Sequence, residues 1–315
     1  MADYLHNHPG FTDLLNIIAD KKNILPGLVE KDYWIMHVLY GLKKQGFQFE
    51  LKGGTSLSKG YQIIERFSED IDIHITPDVK FGINENPKNS SAKNVNARKE
   101  FYDWLAGEIK IDGISKIERD HNFDDPNAYR SGGIRLYYEN KTEAVKGLKE
   151  GILLEAGFDK VTPNSKLLIT SWAYEEAVSK IEIIDNRAID ISCYDPGYTF
   201  VEKLQTIATK FRQERADGEE RPNYLRQYYD VYCLLGNAVV QKFIGTKEYF
   251  DHKEARFPPQ DFAIPVAENE AFLINDVELR NSIKDRFKKT SNLYYNGQPD
   301  FEDLLKRIKD NIDKL

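Results

Sequence analysis

Residues 51–75 read LKGGTSLSKGYQIIERFSEDIDIHI, and the expected fold follows from this stretch. A short segment of alternating apolar residues, 47–51, leads into Gly53-Gly54, which breaks the strand pattern ahead of a predicted helix. The chain alternates again over 70–75, as Asp-Ile-Asp-Ile-His-Ile. Because side chains on a strand alternate between its two faces, 70–75 predicts a strand with one isoleucine face and one polar face.

Asp70, Asp72 and His74 share the polar face of this predicted strand. Two carboxylates at this spacing stand about 6.5 Å apart at their Cα atoms, so their oxygens can converge on one or two divalent cations. The glycine turn upstream, followed by hydroxyl N-caps at Thr55 and Ser56, suits the phosphates of a nucleotide. His74 is expected beside the cation and not among its ligands, because magnesium prefers oxygen. The pattern favours a phosphoryl or nucleotidyl transferase over an ordinary edge strand with a solvated acidic face.

Three motifs in this stretch, in this order and spacing, resemble the nucleotidyltransferase-like toxins of the AbiEii/AbiGii family, which share the polymerase-beta-type nucleotidyltransferase core. They are Gly53-Gly54-Thr55, Arg66-x-Ser68 and Asp70-x-Asp72. Two later segments, TFVEKLQTI over 199–207 and RQYYDVYCL over 226–234, extend the resemblance over most of the chain. The resemblance implies transfer of a nucleotide from an NTP to an acceptor hydroxyl in the presence of Mg²⁺.

The expected roles combine the strand pattern with this resemblance. Asp70 and Asp72 would hold the metal. The nucleotide would be held by Gly53, Gly54, Thr55, Ser68 and Lys203, with Thr55 using its hydroxyl as well as its N–H group. Asp230 would orient or deprotonate the acceptor, and Lys203 would neutralise charge from the opposite wall of the cleft.

Several of these residues have a simpler interpretation. Lys203 could be a lysine whose stem lies along the edge of a core helix, and Lys210, seven residues later, is best explained in that way. Asp230 could form an i, i+4 surface pair with Arg226. Glu155, on a predicted strand over 151–158, is either a third carboxylate of the site or part of a solvated strand face, and the sequence favours the solvated face. The charged run Glu30-Lys31-Asp32 predicts a salt-bridge cluster at a helix end.

Composition limits the class of protein. The chain has 315 residues, 41% hydrophobic residues and a formal net charge of -7, which argues against nucleic-acid binding by the whole surface. We find neither a signal-peptide pattern nor an apolar run near the ~18 residues that span a bilayer, so the sequence predicts a cytoplasmic protein. Cys193 and Cys233 lie outside any CxxC motif and are expected to be buried thiols.

The predicted fold is α+β: a nucleotidyltransferase-type mixed sheet with helices over 1–195, followed by a mainly helical domain over 196–315 that completes the active-site cleft. Further strands are predicted over 114–117, 133–138 and 188–194. Loops are predicted over 76–97 and 242–264. The resemblance implies the toxin of a toxin–antitoxin pair acting in phage defence, with an antitoxin partner and with the 3′ end of tRNA as the leading acceptor. Two alternatives stay open, a transferase that modifies protein and an NTP-binding module without catalysis.

Overall fold

The computed structural model describes residues 2–145, 147–159 and 161–315. The chain divides into two compact units, one formed by Met1–Gly60 with Ser68–Tyr194 and the other by Tyr61–Phe67 with Asp195–Leu315. The first unit carries a sheet with helices, and the second is helical. The predicted α+β class, a mixed sheet followed by a helical region, is confirmed. The segment Tyr61–Phe67, which the sequence assigns to the first domain, belongs to the second unit.

Seven strands form one mixed sheet in the first unit, in the order β3-β4-β5-β2-β1-β7-β6. The strands β1 and β7, and also β2 and β5, pair in parallel, while the other neighbours are antiparallel. The strands are β1 Phe49–Lys52, β2 Asp70–Ile75, β3 Ile114–Arg119, β4 Ser131–Tyr138, β5 Ile152–Gly157, β6 Asn164–Ile169 and β7 Ala188–Tyr194. All six strands predicted from the sequence are present, and β6 was missed.

The strand β2 lies in the middle of this sheet, between β5 and β1. Ile71, Ile73 and Ile75 are at most 1% exposed, which confirms the predicted apolar face. Asp70 and Asp72 are half-buried on the opposite face. The isoleucine side chains therefore fix the register of β2 against the core, and this register sends both carboxylates to the other face.

The residues of the first unit that the structure describes form five α-helices: α1 Phe11–Lys22, α2 Pro26–Lys44, α3 Gly53–Thr55, α4 Ala92–Glu108 and α5 Trp172–Ala177. The helix α2 is buried on nearly its whole circumference, as its apolar residues predict. Pro at its first position suits a helix start, where the missing N–H group costs no hydrogen bond. The predicted loop over 76–97 is shorter than expected, because α4 begins at Ala92.

The helix predicted after the glycine pair is shorter than the sequence indicates. The turn α3 continues as a π-helical turn, Ser56–Gly60, and no helix follows before β2. Lys52 is the N-cap and makes no side-chain cap bond, so the predicted hydroxyl caps at Thr55 and Ser56 are wrong. Beyond Gly60 the chain enters the second unit, where Gln62 has a positive φ of 54°.

The second unit consists of eight helices in the described part of the chain. They are α6 Pro196–Asp217, α7 Arg226–Leu235, α8 Ala238–Phe243, α9 Lys247–Arg256, α10 Pro259–Phe262, α11 Glu270–Leu273, α12 Val277–Lys288 and α13 Phe301–Lys309. The prediction of a loop over 242–264 is wrong, because α9 and α10 occupy much of it. Tyr249 is the one buried residue of α9, so this helix has no apolar stripe for the sequence to reveal.

Candidate active site

Three carboxylates meet on two adjacent strands of the first unit. Asp70 and Asp72 lie on β2, and the parallel register with β5 sets Asp72 directly opposite Glu155. Glu155 is half-buried, and burial together with the charges of Asp72 and Asp70 raises its pKa to about 8. The solvated strand face that the sequence favours for Glu155 is therefore wrong.

The two oxygens of Asp70 have different surroundings. Oδ2 accepts a hydrogen bond from the ammonium of Lys149 at 2.8 Å, whereas Oδ1 is buried and has no hydrogen-bond partner among the residues that the structure describes. A buried carboxylate oxygen without a partner costs about 1–3 kcal/mol or more, and a cation would supply the missing contact. The described ranges contain no group of three or more His, Cys, Asp and Glu side chains that could hold a metal ion. Magnesium commonly takes one or two carboxylates together with substrate phosphates, and this cluster fits that mode.

The glycine turn lies directly against this cluster. Gly53 has a φ of 71°, and a Cβ at Gly53 would stand 2.4 Å from Oδ2 of Asp72. Only glycine combines this backbone conformation with so close an approach. Thr55 is fully buried, and its hydroxyl donates to the main-chain carbonyl of Asp70. The expectation that the Thr55 hydroxyl donates to a phosphate is therefore wrong, and the backbone N–H groups of the turn remain for that role.

Ser68 and His74 flank the carboxylates on either side. Ser68 is half-buried, two residues before Asp70. The ring nitrogens of His74 contact Glu50 at 2.5 Å and Glu85 at 3.1 Å, so this side chain is already engaged away from the cluster. Burial alone would lower the pKa of His74, but the hydrogen bonds to Glu50 and Glu85 outweigh burial and raise it. Because both ring nitrogens contact Glu50 and Glu85, His74 remains expected beside the cation and not among its ligands.

In the second unit, Asp230 on α7 holds two basic side chains. It is fully buried and makes a bidentate pair with Arg66, with both N–O distances at 2.7 Å, while the ammonium of Lys203 on α6 lies 3.1 Å from Oδ2. Burial alone would raise the pKa of Asp230, but the charges of Arg66 and Lys203 outweigh burial and keep it below its usual value. The proposed surface pair with Arg226 is wrong, since Asp230 pairs with Arg66 and Lys203 instead.

This pairing also decides what Asp230 can do chemically. A carboxylate with a lowered pKa, both oxygens engaged and no exposed surface is a poor acceptor for a proton from substrate. Asp230 instead positions Lys203. The side chain of Lys203 is 12% exposed, whereas Asp230 is fully enclosed.

Sequence reasoning gave no role to two residues that the structure places in these clusters. Arg66 belongs to the quoted motif, and its spacing from Ser68 was the available signal. Lys149 lies in the loop between β4 and β5, where no periodic pattern marks it. Its contact with Asp70 joins residues 79 positions apart, which a single sequence does not reveal.

The chain matches one known protein family over most of its length. The model of the family described as nucleotidyl transferase AbiEii toxin, type IV toxin–antitoxin system, matches residues 37–307. The chain belongs to this family. The resemblance predicted from the three motifs is confirmed, and this AbiEii-family protein is a nucleotidyltransferase.

Two further comparisons add little to the family match. Among solved structures, an antigenic nucleotidyltransferase-like protein from Paracoccidioides brasiliensis matches at 13% identity with a TM-score of 0.37, covering 85% of this chain and 98% of the other. No curated protein matches the chain. Among the described helices of this AbiEii-family chain, none has the length and apolar character needed to cross a membrane.

Proposed function

We propose that this AbiEii-family enzyme transfers a nucleotide from an NTP to an acceptor hydroxyl with the help of Mg²⁺. The observation that carries the proposal is the cluster of Asp70, Asp72 and Glu155 against the Gly53 turn, with one buried oxygen of Asp70 lacking a hydrogen-bond partner among the described residues. In the reaction the acceptor oxygen forms a bond to the α-phosphorus, and the bond to pyrophosphate breaks, with its electrons leaving on pyrophosphate. The acceptor hydroxyl gives up its proton to solvent water.

Asp70 and Asp72 would hold the cation, with Glu155 beside them on β5. The bound cation would supply positive charge to the triphosphate and to the pyrophosphate leaving group. The N–H groups of Gly53 and Gly54 would hold phosphate oxygens, with Ser68 beside them. With these roles the protein needs no nucleophile of its own, because most of the rate enhancement of such a transfer comes from positioning and charge stabilisation.

The second unit offers one basic side chain, Lys203, for which nucleotide binding is proposed. Lys203 would contact the phosphates while Asp230 and Arg66 fix its position. Losing one charge-assisted phosphate contact of this kind costs about 1.5–3 kcal/mol, so Lys203→Ala is expected to weaken NTP binding. The role proposed for Asp230 is positioning, in place of proton transfer.

The acceptor proposed here is RNA, with the 3′ end of tRNA as the first RNA to test. A cavity of about 420 Å³ in the second unit favours RNA, because Lys210, Arg221 and Arg226 are among its lining residues. A basic cavity suits the phosphates of nucleic acid better than a protein side chain. By family, the biological role would be that of a toxin controlled by a cognate antitoxin.

The test incubates purified protein with each labelled NTP, Mg²⁺, total RNA and a protein extract. Label that enters RNA supports the proposal and identifies the nucleotide. Label that enters protein would show a protein-modifying transferase. NTP retained on the enzyme without transfer would show a binding module that acts through protein contacts.

A further inference from the structure

Lys149 occupies the carboxylate cluster with its positive charge. Its ammonium lies 2.8 Å from Oδ2 of Asp70 and 4.5 Å from the ring centre of Phe123. The side chain is 29% exposed, and Asp70 is 18% exposed. Lys149 therefore binds one oxygen of Asp70 while the other oxygen is buried without a described partner. The site holds a protein cation where the proposed reaction needs a metal cation.

The main chain of Lys149 is fixed on both sides of its Cα atom. Its N–H group donates to Glu69 at 2.9 Å, and its carbonyl accepts a hydrogen bond from the ammonium of Lys31. Lys31 is 2% exposed, Glu69 is 7% exposed, and their charged groups lie 3.6 Å apart. Buried, mutually paired charges of this kind hold a segment firmly, because breaking one leaves the other unpaired.

The beginning of the same loop is fixed by Glu30, the neighbour of Lys31 on α2. Glu30 is 1% exposed and accepts hydrogen bonds from the N–H groups of Lys141 and Thr142, at 2.8 and 3.1 Å, and from the Thr142 hydroxyl at 2.6 Å. The charged run for which the sequence predicts a helix-end cluster thus anchors the loop that carries Lys149. The backbone stays in place while the lysine stem, with its rotatable bonds, can move.

We propose that Lys149 is a movable counter-ion. Its ammonium forms an ion pair with Asp70 until the divalent cation binds, and the side chain then turns so that the ammonium contacts the triphosphate. The inference rests on the proposed function of this site. A divalent cation at Oδ1 of Asp70 would lie within a few ångströms of the Lys149 ammonium on Oδ2, and repulsion between the two positive charges displaces the ammonium. Because hydrogen bonds to Glu69 and Lys31 fix the main chain of Lys149, its ammonium can reach only positions near the cluster. Triphosphate oxygens bound there would accept its hydrogen bonds.

The first arm of the experiment measures Mn²⁺ binding to the nucleotide-free protein by electron paramagnetic resonance. Lys149→Met should bind Mn²⁺ about tenfold more tightly than the wild type, because a competing charge has been removed. Lys149→Arg keeps the charge and should bind Mn²⁺ like the wild type. The matched control is Lys141→Met in the same loop, whose ammonium pairs with Glu139, and it should leave Mn²⁺ affinity unchanged.

The second arm measures the affinity of a non-hydrolysable NTP analogue at saturating Mn²⁺. Lys149→Met should bind the analogue about tenfold more weakly, whereas Lys141→Met should not. Mn²⁺ affinity in Lys149→Met equal to or below that of the wild type would overturn the inference, and so would unchanged analogue affinity. Both arms measure binding without transfer, so a failure of the proposed reaction would be seen separately, as missing label in the acceptor.

Discussion

Gly53 joins two constraints at one position, a φ of 71° and a hypothetical Cβ 2.4 Å from the carboxylate of Asp72. Gly82 shares the first constraint, with a φ of 58°, but a Cβ there would meet nothing within 4 Å. Gly53→Ala and Gly82→Ala should each lose roughly 1–2 kcal/mol of unfolding free energy through backbone strain. Gly53→Ala should in addition lose Mn²⁺ binding, because its methyl group displaces Asp72.

Urea unfolding and Mn²⁺ titration of the two alanine variants separate these effects. Equal Mn²⁺ affinity in Gly53→Ala and Gly82→Ala would mean that the close approach of the turn to Asp72 does not matter for the metal.

Asp230 gives a second prediction at the residue scale. Asp230→Asn leaves Arg66 and Lys203 without their charged partner in a buried site, so the unfolding free energy should fall by about 3 kcal/mol or more. Asp217→Asn is the control in the same unit, since its pair with Arg221 lies at the surface and its loss should change stability little. Asp230→Asn could instead lose activity while remaining as stable as the wild type. That result would contradict the role of positioning Lys203 and would support a direct chemical role for Asp230.

At the scale of elements, α2 is tied to its neighbours through His37, which is 1% exposed. Asn186 donates to Nδ1 of His37 at 2.8 Å, so Nε2 carries the proton and donates to the carbonyl of Asp112 at 3.0 Å. The ring is thus held neutral, and burial, followed by the charge of His6, lowers the pKa of His37 to about 4. Protonation would break the bond from Asn186.

This arrangement predicts a pH dependence of stability. Between the unfolded pKa of about 6.5 and the folded value near 4, the unfolded chain binds more protons, so stability is lost as the pH falls. The full loss is about 3 kcal/mol. Urea unfolding of the wild type and of His37→Gln over pH 7 to 4.5 tests this, and the variant should show the flatter profile. Parallel profiles would assign the acid sensitivity to other groups.

The elements that the sequence predicted are those with a strong period. The alternation in β2 sets three isoleucines on one face, and that local pattern alone gave the strand, its buried face and the shared face of Asp70 and Asp72. The helix α9 has a single buried residue, Tyr249, so no period was present to detect. The end of the helical turn at Gly60 was missed for another reason, because the chain there leaves the first unit for the second.

For the candidate site too, the sequence predicted the residues that belong to one local pattern. Its acidic and glycine residues lie within one stretch and could be assigned by spacing. Their partners come from distant positions: Lys149 reaches Asp70 from a loop, and Glu155 reaches Asp72 through strand pairing. Burial then reversed two expectations, since Thr55 bonds to the backbone and Asp230 is enclosed by Arg66 and Lys203. Neither burial nor partner can be read from residue type.

At the scale of the whole molecule, a net charge of -7 means that an RNA acceptor must bind a local basic surface. The cavity lined by Lys210, Arg221 and Arg226 offers few positive charges, and Asp217 already pairs with Arg221. The log of the RNA affinity should therefore fall with log salt at a slope of about -2 to -4. Fluorescence anisotropy over a salt series measures this slope. A slope near -8 would require a broad basic surface, and no binding at low salt would favour a protein acceptor.

The central claim is that the carboxylates of β2 hold a divalent cation for nucleotide transfer. The most direct measurement is the rate of label transfer from NTP in Mg²⁺ for the wild type, Asp70→Asn and Asp72→Asn, together with the thermal stability of each. Both variants should lose transfer while melting near the wild-type temperature, because removing a like charge from a crowded cluster does not destabilise the fold. EDTA should abolish transfer by the wild type. Near wild-type turnover in either variant, or transfer that persists in EDTA, would contradict the account.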